Sequence, residues 1–92
     1  MREVAMFRVE LTCNGLPSHL GPQAAEDITS SFKERTWHQN VSCTWDGALL
    51  RLVAENDFDS SGLALLDEFS DEICNCIAGG FGPVKVVSVA EI

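Results

Sequence analysis

SSGLALLDEFSDEICNCIAGG, residues 60–80, is the stretch around which the chain is organised. Leu63, Leu66, Phe69, Ile73 and Ile77 recur at steps of three and four, which predicts one apolar stripe on an α-helix. Asp67, Glu68, Asp71, Glu72 and Asn75 fall on the other side. Asp59 or Ser60 can accept a hydrogen bond from the first free amides, and Gly79 can take the left-handed conformation that ends a helix. Five apolar anchors need a broad apolar surface to cover, and the rest of the chain reads as the sheet that supplies it.

Working outward, Trp37, Gln39, Val41, Cys43 and Trp45 alternate with His38, Asn40, Ser42 and Thr44, the period of a strand. Asp46-Gly47 follows, a strong signal for a two-residue hairpin turn. Counting from it pairs Trp45 with Ala48, Cys43 with Leu50 and Val41 with Leu52 on one face. Thr44 then pairs with Leu49, Ser42 with Arg51 and Asn40 with Val53 on the other. Upstream, Phe7, Val9, Leu11 and Cys13 alternate with polar residues, so Met6–Cys13 is a strand, broken by Asn14-Gly15-Leu16-Pro17. Pro22 opens a helix to about Arg35 that buries Ala25, Ile28 and Phe32. Asn56–Asp59 is a polar turn into the long helix, and Val84–Ile92 is a last, β-branched strand after GGFGP. Two right-handed crossovers around a central hairpin predict an α+β, ferredoxin-like βαββαβ sandwich in which residues 1–92 form one domain. Its four-stranded antiparallel sheet has the order 4-1-3-2, with two helices on one face.

Charge and composition narrow the functions such a domain can serve. Hydrophobic content of 46% with 22% charged residues is that of a globular chain, and no apolar run is long enough to cross a membrane. A net charge of −8, with six basic residues and no basic run, argues against nucleic acid and anionic membrane as partners. The start, MREVAMFRVEL, lacks a signal peptide's continuous apolar stretch, and four cysteines without such a leader suit a reducing cytoplasm.

The predicted topology gathers three connections at one end: residues 14–21, the 45–48 hairpin and residues 79–83. Cys13, His19, Cys43 and Cys76 collect there, which makes this pole the candidate for a thiolate metal site or a small ligand. Several features oppose that use. Cys74 and Cys76 stand two apart on a helix and cannot face one ion together. Cys13 and Cys43 lie two strand spacings, about 10 Å, apart. GGFGP follows a helix C-terminus, where the dipole repels phosphate. His38 reads as a solvated histidine on the outer sheet face, and Asn56-Asp57-Phe58-Asp59 lacks the glycine and distal glutamate of a calcium loop.

Two surfaces remain. From Glu55 to Glu72 there are seven acids and no base, and Asp67, Glu68, Asp71 and Glu72 form an acidic helix face suited to a basic protein. On the uncovered side of the sheet, with Val84, Val86, Ser88 and Ala90 facing the helices, Leu49, Val53, Val87 and Val89 form an apolar patch. Arg8 and Arg51, with Glu10 and Lys85, rim it. The first loop lacks the C-x-x-C of heavy-metal chaperone domains. The outward positions Arg8, Glu10, Arg51 and Val53 are not the aromatics of RNA-recognition motifs. The expectation is a non-catalytic, cofactor-free cytoplasmic domain that associates with proteins, as a homodimer through the open sheet. A thiol-based ligand or metal site at the loop pole is the alternative.

Overall fold

The computed structural model describes residues 5–77 and 81–92. Its elements are β1 (Phe7–Cys13), α1 (Gly21–Lys33), β2 (Gln39–Trp45), β3 (Leu50–Asn56), α2 (Leu63–Cys76) and β4 (Val84–Glu91), with a 3₁₀ turn at Ser18–Leu20 leading into α1. The sheet runs β2-β3-β1-β4 with every neighbouring pair antiparallel, the expected order read from the other edge. Val9, Leu11, Cys13, Cys43, Leu50, Leu52 and Ala54 form its buried face, under Ala24, Ile28 and Phe32 of α1 and Leu65, Phe69 and Ile73 of α2. Alternation on the strands and a 3.6-residue stripe on the helices therefore meet in one core, an α+β sandwich.

The phase of α2 differs from the expectation at its start. Leu63 is 60% exposed, and the buried stripe is Leu65, Phe69 and Ile73, with Ile77 following. Three leucines within four positions leave the stripe's origin open, and close packing of the preceding residue fixes it. Gly62 has φ +80, and a Cβ there would lie 3.1 Å from Val86 Cγ1 and 3.2 Å from Cγ atoms of Val89 and Val9. That approach seats the helix start on β1 and β4 and turns Leu63 outward. The Asp59 carboxylate accepts from the amides of Ala64 (3.2 Å) and Leu65 (2.9 Å), capping the helix as its sequence position suggested. The stop expected at Gly79 lies outside the described residues.

The hairpin is shifted by two. Trp45 pairs with Leu50, Thr44 with Arg51 and Cys43 with Leu52, so residues 46–49 form a four-residue loop. Asp46 Oδ1 accepts from the amides of Ala48 (2.9 Å) and Leu49 (2.7 Å), and this side-chain turn replaces the two-residue one. A shift of two preserves strand parity, so the paired side chains of Cys43–Trp45 and Leu50–Leu52 keep their expected faces. Leu49 leaves the sheet for the loop.

The last strand is corrected more deeply. Glu10 pairs with Ser88 but Leu11 with Val86, so Val87 is an extra residue, a β-bulge. Val84 and Val86 face the core before it and Val89 faces the core after it, while Ser88 and Ala90 point outward. The expectation that Ser88 and Ala90 face the helices and Val89 faces out is reversed, because strict alternation cannot cross the bulge. The edge strand β2 also departs from regular pairing, between Gln39 and Ser42, with Asn40 at φ +49. Thr29 of α1 covers the outward backbone of β2: its hydroxyl accepts from Cys43 N (3.1 Å) and donates to Ala25 O (2.7 Å).

Candidate functional site

At the loop pole the connections meet as the topology requires. Gly82 N donates to Asn14 O (2.7 Å), and the backbones at Gly15 and Gly82 nearly touch. Trp45 packs against the first residue of α1, where a Cβ on Gly21 would overlap the indole ring. Any side chain larger than hydrogen at Gly21 would displace that ring.

Cys13 and Cys43 are held here as buried, protonated thiols, with Cys76 half-buried beside them. Cys13 is fully buried, its Sγ 3.4 Å from Asn14 O and 3.6 Å from Gly82 O, and burial pushes its pKa up to about 11. Burial, with a smaller contribution from neighbouring Cys76, pushes Cys43 up to about 12. Cys76 is raised too, by burial and by the carboxylates of Asp27 and Glu72. Metal binding and nucleophilic attack both require a thiolate, which these surroundings disfavour. His19 stands in the 3₁₀ turn, exposed. Among the described residues no three His, Cys, Asp or Glu side chains come together as a metal cage. Cys13, His19, Cys43 and Cys76 share a pole without converging on a point.

The open face of the sheet is a polar lattice in which Val53, Val87 and the small Ala90 are the apolar positions among the described residues. Arg8 Nε donates to Glu55 Oε2 (2.9 Å) and Asn40 Nδ2 to Glu55 Oε1 (2.7 Å). The Asn40 and Arg8 bonds hold the Glu55 carboxyl below its usual range. Arg51 Nε lies 3.1 Å from Glu10 Oε2, yet the N–H is not aligned to donate and remains unspent, although buried. Val53 sits between these pairs and Val87 is 53% exposed on its bulge. With Val89 in the core and Leu49 in the hairpin loop, the expected four-residue patch contracts to Val53 and Val87.

The acidic helix face is also thinner than its sequence. Arg35, packed over the Phe32 ring (4.4 Å), reaches Glu68 (3.3 Å) and Glu72 (2.7 Å). Burial works to raise Glu72, but hydrogen bonds from Arg35 and Ser31 and the guanidinium charge hold it below the ordinary value. Asp67 and Asp71 remain exposed and free of ion pairs among the described residues.

The residue that sequence reasoning misplaced is His38. It lies inside, at the pole opposite the thiols, with its side chain fully buried. Asn56 Oδ1 accepts from the amides of Phe58 (3.2 Å) and Asp59 (2.8 Å), which turns Asn56 Nδ2 toward His38 Nδ1 (3.4 Å). Nδ1 is therefore the acceptor, and the proton on Nε2 is donated to Glu68 Oε2 (3.0 Å). Phe32, Trp37 and Phe58 surround the ring at centroid distances of 5.7, 5.9 and 6.1 Å. Because His38 precedes β2 and the strand is irregular at Asn40, alternation counted from Trp45 puts it on the wrong face. The one signal available was its chemistry: an imidazole five residues before Cys43, the buried residue of β2, finds the acids of α2 only in three dimensions.

No known protein family matches the chain, and neither does any curated protein. No helix is long and apolar enough to cross a membrane among the described residues.

Proposed function

We propose that this is a non-catalytic, cytoplasmic protein-association domain that pairs with a second copy through its open sheet face and presents its acidic side to a basic partner. The observation that carries this reading is the distribution of charge. In a chain of net −8, the open face holds three of the six basic residues, Arg8, Arg51 and Lys85, against the acids Glu10 and Glu55. Two like-charged molecules can approach on that face without setting acid against acid. Val53 and Val87 supply apolar contact there. Pairing by sheet edges is disfavoured, since Thr29 covers β2 while the Val87 bulge and Lys85 guard β4. Four free cysteines favour a reducing compartment.

Native mass spectrometry of the reduced protein tests the proposal. A dimer is expected, and Val87→Lys or Val53→Lys should convert it to monomer without loss of fold. A monomer in the unaltered protein at micromolar concentration, or a dimer indifferent to both changes, would overturn it.

A further inference from the structure

Beside the buried histidine, Met6, Thr36, Trp37, Gln39, Asn56 and Asp57 line a hollow of about 280 Å³. Sites for drug-sized ligands and cofactors run upward from about 300 Å³ and are largely apolar, whereas this smaller, half-polar hollow has ample room for one side chain. Trp37 and Met6 give it an apolar wall, and Trp37 keeps 52% of its surface open while braced against His38. Gln39 and Asp57 contribute an amide and a carboxylate. The floor is rigid, because Asn56 is 1% exposed and pinned through both ends of its amide. Among the described residues no cation lines the hollow: Arg8 is committed to Glu55, and Arg35 to Glu68 and Glu72.

We infer that this hollow receives an arginine side chain from a basic partner segment, with its stem along Trp37 and Met6 and its guanidinium shared between the indole face and the Asp57 carboxylate. An apolar wall, a carboxylate outside every ion pair of the described residues and amide groups around a side-chain-sized space match an apolar stem ending in a planar cation. The inference rests on the basic-partner half of the proposed function. It places the contact at the 36–39 and 56–57 corner instead of on Asp67 and Asp71.

The test titrates ¹⁵N-labelled protein with the peptide acetyl-Gly-Arg-Gly-amide, and with the same peptide carrying citrulline, which keeps the shape and removes the charge. The expected result is movement of the Trp37 indole N–H and the Gln39 side-chain amide with arginine and not with citrulline. Trp37→Leu and Asp57→Asn should each weaken the interaction about threefold to tenfold. The Trp45 indole signal reports that both variants remain folded. Movement centred on Asp67 and Asp71, indifferent to both variants, would overturn the hollow while keeping the basic partner. No movement at millimolar peptide would overturn both.

Discussion

The two poles of the sandwich make opposite use of groups that carry chemistry. At the loop pole, Cys13 lies against two backbone carbonyls and Cys43 packs beneath α1 without a side-chain partner for its thiol, and burial raises both thiols far above neutral pH. At the other pole, His38 is equally buried but has a partner for each ring nitrogen, and Glu68 and Arg35 continue the network. Residue type pointed to the first pole as reactive and to the second as bland. Surroundings reverse the order of interest: a titratable group without polar neighbours is packing, whereas one with complete neighbours is structure that unfolds badly if a member is lost.

The widest separation between the poles should appear on removing His38. His38→Ala leaves Glu68 and Asn56 without their imidazole partner and opens a cavity among three aromatic rings. Urea unfolding should show a loss of about 3 kcal/mol. A loss under about 1 kcal/mol would mean that water replaces the ring and that the network is less closed than described. Next in size is Gly21→Ala at the loop pole. Alanine is the better helix former by about 1 kcal/mol, yet its Cβ would meet the Trp45 indole, so the change should cost about 1–3 kcal/mol and alter the Trp45 fluorescence. Stabilisation would show that the loop pole yields easily.

The effect that is smallest near neutral pH is a dependence on alkaline pH. The folded-state values of Cys13 and Cys43 lie above the unfolded thiol value of about 8.5. Their contribution is therefore complete below that value and is lost as pH rises toward about 11 and about 12. Cys43→Ala should flatten the fall in stability through this range. At neutral pH a thiol reagent should label exposed Cys74 first and Cys13 and Cys43 only after unfolding. Equal labelling rates would contradict the inertness of this pole.

What could be read from the sequence follows from what periodicity can encode. Element order and sheet order were legible because each strand and helix repeats its apolar residue over two or more periods. The hairpin register was not, because Asp46 can serve a two-residue turn with its backbone or a four-residue loop with its carboxylate. The inward set on β4 was lost at Val86-Val87, where two adjacent valines fit either face and a single extra residue decides. The outer patch failed with it, since Val89 moved to the core and Leu49 to the loop. On the helix face the acids were legible but their neutralisation was not. Arg35 lies 33 positions before Glu68, a separation no local pattern spans. His38 failed for the same reason.

The Thr29 hydroxyl has a consequence for how the molecule opens. Because it takes the Cys43 amide from an edge strand and gives its own proton to α1, that amide can exchange with solvent deuterium only when helix and strand part together. The outward amides of β4 have no such chaperoning group among the described residues. Deuterium should therefore enter the sheet from the β4 side, with the Cys43 amide of β2, although also on an edge, holding its proton as long as the interior strands do.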